Sequence, residues 1–193
     1  SEVDPENLQM DISKAKDPGG AIVRTGIFVS KSGLNPLYTE ILNNQIGPLD
    51  AIICAAGEAK WDTFENLSEE DYYFGFQNKL MGQVNLARIG HQHLNTNGSI
   101  TLTTGILADF PVLKTASAAM VNGAIHSFVK AVALELTNEL RINAVAAGMV
   151  QDTYEKYKDY FPGHTPVSMN KVVSGYVESV MENSNGKIIK IYK

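Results

Sequence analysis

Cysteine is nearly missing from this chain of 193 residues, with Cys54 the only one. A single thiol cannot close an internal disulfide, so the chain suits a reducing compartment and a cytoplasmic location is expected. Cys54 lies inside the apolar run Ala51-Ile52-Ile53-Cys54-Ala55-Ala56, where it reads as a small buried hydrophobe. Basic residues are outnumbered too. The 16 Lys and Arg against 21 Asp and Glu leave a net charge of -5, without the clustered positive charge that a nucleic-acid backbone demands. A small anion held locally by backbone N–H groups is still compatible with that balance. No apolar run approaches the ~20 residues that span a bilayer, and the acidic start Ser1-Glu2-Val3-Asp4-Pro5 does not read as a signal peptide. Neither nucleic acid nor membrane is an expected partner.

Several chemistries are missing as well. There is no Gly-x-Ser-x-Gly elbow, so a serine hydrolase is unsupported. His91 and His93 stand two apart on an expected helix and point to different sides, which is wrong for a shared metal. The carboxylates Glu65, Glu69, Glu70 and Asp71 fit the negative charge favoured at a helix start. No internal repeat or low-complexity segment is present.

What remains is an ordinary soluble composition, 44% apolar and 19% charged, long enough for one domain with a real core. Ala51–Ala55 is apolar throughout, as in a strand buried on both faces of a parallel sheet. Three further strands are expected at Ser99–Thr104, Arg141–Ala146 and Lys187–Tyr192, each bounded by Gly or Asn-Gly turns. Helices fill the gaps: Leu37–Gln45, a long one from Ser68 to about Leu94, one with Val121, Ile125, Phe128, Val132 and Leu136 on one face, and Met169–Met181. Strand–helix alternation predicts an α/β fold, a three-layer Rossmann-like doubly wound parallel sheet, with ligands beyond the carboxyl ends of the strands. Gly57, Gly105 and Gly148 should then share one rim.

On these segments the chain resembles the short-chain dehydrogenase/reductase family. Cys54-Ala55-Ala56-Gly57 sits where that family has Asn-Asn-Ala-Gly, and Gly98 to Gly105 is similar to the strand delivering its catalytic serine. Phe128 to Leu136 matches the end of the active-site helix, and Arg141-Ile142-Asn143-Ala144-Val145-Ala146-Ala147-Gly148 resembles Arg-Val-Asn-Ala-Val-x-Pro-Gly. Gly186-Lys187-Ile188-Ile189 resembles the final strand. The resemblance implies hydride transfer between NAD or NADP, with NADP preferred, and a carbonyl or alcohol carbon. It also implies a homodimer or tetramer.

The chain departs from the family where the chemistry is done. Family members use a Tyr as general acid and a Lys four residues on, one helical turn away on the same face. Those positions fall on Ala118 and Asn122 here, and the serine position on Gly105, or on Thr104 with the register moved by one. The family's helix Asn aligns with Lys79 of Lys79-Leu80-Met81-Gly82-Gln83-Val84-Asn85-Leu86. Lys79, Thr104 and Asn122 are therefore the expected catalytic set, a polar pocket beside the nicotinamide. The competing reading of Lys79 is a lysine that merely reaches solvent. Met120 and the aromatics Tyr154, Tyr157, Tyr160 and Phe161, spaced about three apart on an expected helix after Val150, read as packing or as an outer wall. The resemblance places Asp11, Ala56, Gly57, Thr103, Gly148 and Met149 at the cofactor.

The glycine-rich phosphate loop of the family is not found, and Leu8-Gln9-Met10-Asp11-Ile12 looks like its third strand. By that register the chain is an N-terminally truncated single domain over residues 1–193. The alternative is that the atypical segment 19–36 replaces what is missing. Two functions stay open: an NAD(P)-dependent oxidoreductase with a non-standard proton donor, or a catalytically inactive Rossmann protein that binds a nucleotide or acts as a scaffold.

Overall fold

Strand β2 (Leu94–Gly105) shows how the sequence builds the sheet. Its side chains alternate between faces, as the pleat requires. Ile100 and Leu102 are fully buried against Val121, Ile125 and Val129 on one face. Thr101 and Thr103 turn to the other, where Thr101 Oγ1 meets Ser179 Oγ at 2.6 Å and Thr103 Oγ1 meets the Tyr176 hydroxyl at 2.7 Å. The Ile-Thr-Leu-Thr alternation is thus an apolar layer on one side and a hydrogen-bonded layer on the other.

This is a computed structural model that describes residues 49–193, which lie within the unit Lys31–Lys193. Around β2 stand β1 (Leu49–Ile53), β3 (Arg141–Ala147) and β4 (Ile188–Ile191), in the order β1-β2-β3-β4 and all parallel. Ile52, Ile100 and Ile142 are in register across the first three strands. Helix α1 covers residues 69–90 and α2 covers Ala116–Val132, both against the Ile100–Leu102 face. Helix α3 (Met169–Met181) lies on the opposite face. Helices on both faces of a parallel sheet make the three-layer, doubly wound Rossmann-like arrangement expected. The anticipated helix Leu37–Gln45, the segment 19–36 and Asp11 lie outside the described residues.

Several boundaries differ from the sequence reading, among them β1, which runs Leu49–Ile53 and not Ala51–Ala55, and β4, which runs Ile188–Ile191 and not Lys187–Tyr192. α1 stops at Gly90 instead of running to Leu94, and β2 starts at Leu94 because that residue pairs with Leu49 and Asn95 Nδ2 donates to Asp50 at 2.7 Å. α2 ends at Val132, so Leu136 belongs to the turn that follows, its N–H bonded to the Val132 carbonyl at 3.1 Å. Asn138 and Glu139, at φ of 57° and 60°, carry the chain away from the helix line. Residues 151–160 form three short turns, Gln151–Thr153, Tyr154–Tyr157 and Lys158–Tyr160, and no long helix.

The Arg141-Ile142-Asn143 segment is structural. Arg141 donates to the carbonyls of Ser179 at 3.1 Å and Val180 at 3.0 Å, and to that of Glu182, neutralising the exposed carbonyl end of α3. Asn143 accepts from the Lys187 N–H at 2.9 Å and donates to the Ser184 carbonyl at 2.8 Å, setting the entry of β4.

Candidate functional site

Because all four strands run the same way, Gly57, Gly105 and Gly148 fall on one rim, beyond the carboxyl ends of β1, β2 and β3. The loop after β1 is the part built most tightly. Gly57 has φ of +114°, and a Cβ placed on it would stand 2.7 Å from Lys79 Cα and 2.8 Å from its Cβ and Cγ. Only glycine allows that approach. The contact falls on Phe76–Leu80, where α1 widens into a single π-helical turn, a distortion that gathers at functional sites.

Hydrogen bonds on both sides of Lys79 lock the loop to the helix. Asn78 Oδ1 accepts from the Glu58 N–H at 2.8 Å. Gln83, one turn on and almost fully buried, donates to the Thr103 carbonyl at 2.8 Å and accepts from the Thr103 N–H at 2.9 Å. Its Nε2 also lies 3.5 Å from the Ala56 carbonyl. Gln83 therefore joins the loop after β1, β2 and α1, a role that sequence reasoning missed. The only signal was its position four residues after Lys79.

Lys79 packs closely against Gly57, and its side chain is half-buried. Burial pushes its pKa down to about 8, with a small opposing pull from the Cys54 thiol. Burial in turn raises the Cys54 thiol. Among the described residues the ion pairs involve Lys158, Lys187 and Lys190, and none includes Lys79.

Thr104 and Asn122 take different places. Thr104 Oγ1 bonds His126 Nε2 at 2.8 Å, both side chains being buried. Burial is the main reason His126 has a lowered pKa, and Asp109 opposes it. Asp109 itself accepts from Lys190 Nζ at 2.9 Å and from the Tyr192 hydroxyl at 2.5 Å. Asn122 is 3% exposed and its Oδ1 has no hydrogen-bond partner. It faces Gly105, where an added Cβ would lie 3.6 Å from Asn122 Nδ2. An orphan buried acceptor costs about 1–3 kcal/mol unless a donor reaches it.

The remaining expected positions divide between open and packed. Ala56 is half-buried and Gly57 exposed, so no large side chain stands beyond β1. Gly148 serves packing: a Cβ there would meet the Ile191 carbonyl at 3.1 Å, and its N–H bonds that oxygen at 2.7 Å. Met149 is buried with Ala118, Ile106, Leu107 and Phe161. The aromatics pack as well, and their partner is Trp61 from the loop after β1. Its ring lies 5.8 Å from those of Tyr157 and Tyr160 and 6.3 Å from that of Phe161. Nothing in the spacing of the 154–161 run tied it to Trp61. Among the described residues no group of three or more His, Cys, Asp or Glu is placed to hold a metal, and no helix is long and apolar enough to cross a membrane.

A family model described as enoyl-(acyl carrier protein) reductase matches residues 28–184. A curated relative from Pestalotiopsis microspora, named a short-chain dehydrogenase/reductase, is 32% identical over 121 residues. The chain belongs to the short-chain dehydrogenase/reductase family. The match to that relative covers 61% of this chain and 46% of the relative, so the chain spans about half its length. A crystal structure of a Listeria innocua protein superposes with a TM-score of 0.80 at 34% identity, covering 85% of this chain and 81% of that one. A small-chain dehydrogenase solved in complex with NADPH shares the fold, with a TM-score of 0.72, 24% identity and coverage of 83% and 78%. Within this short-chain dehydrogenase/reductase frame, Ala118 at the tyrosine position is walled in by apolar side chains, while Lys79 brings a basic group to the same rim from α1.

Proposed function

We propose that the protein is an NAD(P)-dependent oxidoreductase, interconverting a carbonyl and an alcohol, in which Lys79 supplies the proton that the family's tyrosine supplies elsewhere. The carrying observation is the close approach of Gly57 to Lys79, which sets that half-buried side chain at the strand rim. An acid–base group works best with a pKa near the operating pH, and about 8 is close to it.

The residues present fit the nicotinamide half of a dinucleotide. Beyond β1 the backbone at Ala56 and Gly57 carries no bulk, and the orphan Asn122 Oδ1 offers a buried acceptor. Thr103, Gly148 and Met149 belong to the same rim as its supporting wall, and Asp11 is assigned to the adenine end by the resemblance alone. When bound, the cofactor supplies the hydride. The chain's own part is to orient the substrate oxygen and move a proton. Lys79 Nζ gives up a proton to that oxygen in reduction and takes it back in oxidation. Thr104, held by His126, positions the end of β2, and Asn122 Oδ1 beside it would accept a hydrogen bond from the bound ligand. NADP is the preferred form. A homodimer or tetramer, and a reducing cytoplasmic setting for Cys54, complete the reading.

The test is calorimetric titration of the full chain with NADPH and NADH, followed by a screen for carbonyl reduction. Lys79→Ala should lower kcat/KM by about 10²–10⁴-fold without abolishing cofactor binding. A second reading rests on Ala118, which cannot donate a proton and is closed over by Met149 and Phe161. It makes the protein a nucleotide-binding scaffold. Tight NADPH binding with no reduction of any carbonyl would select that reading.

A further inference from the structure

We propose that His126 is the sensor of an acid-released latch: on gaining a proton it draws the Asp109 carboxylate away from Tyr192 and Lys190, and the end of β4 comes free of the rim. The device needs neither cofactor nor turnover, so it stands apart from the proposed reductase.

The sheet register brings the parts to one face. Thr104, Ala146 and Lys190 lie in one row across β2, β3 and β4, so their side chains leave the sheet on the same side. That side is the one α2 covers, because buried Thr104 Oγ1 meets buried His126 Nε2 at 2.8 Å. Asp109 reaches the same side from the turn Ile106–Ala108, whose Ile106 and Leu107 pack in one cluster with Ala118 of α2. Its Oδ2 accepts from Lys190 Nζ at 2.9 Å and from the Tyr192 hydroxyl at 2.5 Å. One carboxylate oxygen thus fastens the loop after β2 to the end of β4, across β3. Tyr192 also packs on the cluster of Ala118 and Met149 and edge-on to Phe110, with ring centres 5.9 Å apart. Its release therefore uncovers that wall of the rim.

The charged groups that face His126 are Asp109 from the turn after β2, Lys190 from β4, Lys130 from its own helix and Lys79 from α1. Asp109 alone among them is negative. A proton on the ring is drawn to that carboxylate and repels Lys190, so the two cations compete for one partner. Burial holds His126 below the ordinary 6.5, while the bonds from Tyr192 and Lys190 hold the Asp109 carboxyl below the usual carboxylate range. The carboxylate is therefore still charged when the ring takes its proton.

Amide hydrogen exchange of the full chain tests this, read by peptide mass from pH 7.5 to 5 and corrected for the intrinsic effect of pH. Protection of residues 188–192 should fall at least about tenfold, the change that one pKa unit carries, while the amides of β2 and α2 keep theirs. His126→Gln, whose amide can still bond Thr104, should keep the segment protected throughout. Asp109→Ala should lower its protection at every pH. A level wild-type profile, a loss shared equally by β2 and α2, a loss that persists in His126→Gln, or full protection in Asp109→Ala overturns the proposal. The wild-type chain is compared segment with segment, so the first two outcomes need no variant to fold.

Discussion

Lys79 should cost the fold stability at neutral pH. Its folded pKa of about 8 lies below the ordinary 10.5, so between those values the unfolded chain binds more protons than the folded one. Stability therefore rises as the pH climbs from about 8 to 10.5 and is flat, at its lower level, below 8. The size is at most about 3 kcal/mol, reduced by whatever water reaches the half-buried side chain. The difference between wild type and Lys79→Met isolates this contribution. In urea denaturation the variant should be the more stable at pH 7, with the gap closing toward pH 10.5. A gap that is constant with pH would show that the amine is fully solvated. His126 behaves similarly lower on the scale. Burial lowers its pKa below the ordinary 6.5, so the unfolded chain takes up the proton first as the pH falls. Stability should drop as the pH falls below about 6.5, and His126→Gln, which can still bond Thr104, should remove that part of the acid sensitivity. Thermal melts from pH 7.5 to 5 would show it.

The decisive element is the π-helical turn of α1 and the loop it grips. The turn shifts the side chains of 76–80 relative to an even helix, and Gly57 fills the space created. Gly57→Ala must both hold φ near +114° and separate a Cβ from three carbons of Lys79 at 2.7–2.8 Å. Each kind of strain costs about 1–3 kcal/mol, so a loss of at least about 2 kcal/mol is expected in chemical denaturation. A Gly57→Ala chain as stable as wild type would mean that the loop is not held as described. This element was half legible. The apolar run ending in Ala56-Gly57 announced a strand and a tight exit, and the resemblance of Lys79-Leu80-Met81-Gly82-Gln83-Val84-Asn85-Leu86 to the family's helix motif pointed to Lys79. The π turn was not legible, because Phe76-Gln77-Asn78-Lys79-Leu80 has the composition of any helix.

Across the whole molecule the rim is closed by aromatic contacts between distant segments. Trp61 comes from the loop after β1, and Tyr157, Tyr160 and Phe161 from the segment after β3. Phe161 is 5% exposed and packs on Ala118 and Met149, so Phe161→Ala should cost about 3–5 kcal/mol. The same change removes a ring from beside the chain's one tryptophan, and the emission of Trp61 should move to longer wavelength. Loss of stability without any change in emission would separate the two segments. The aromatic spacing of 154, 157, 160 and 161 looked like one face of a helix. The chain instead makes three short turns there, since a face without a partner of its own is packed by whatever the rim brings to it.

The linear order of residues settled the alternation of strands and helices, the parallel sheet, the shared rim of Gly57, Gly105 and Gly148, and the family. Those rest on local periodicity and on glycines at strand ends, which are written in neighbouring positions. The resemblance also pointed to Ala118 and Asn122 as the positions where that family has a proton donor and its lysine. Tertiary structure alone decided which side chains met there. Gln83 with Thr103, Thr104 with His126, Gly57 with Lys79 and Trp61 with Phe161 are each separated by 20 or more positions. Solvation and hydrogen bonding depend on distance in space, so the chemistry of Lys79 was set only when the sheet brought those segments together.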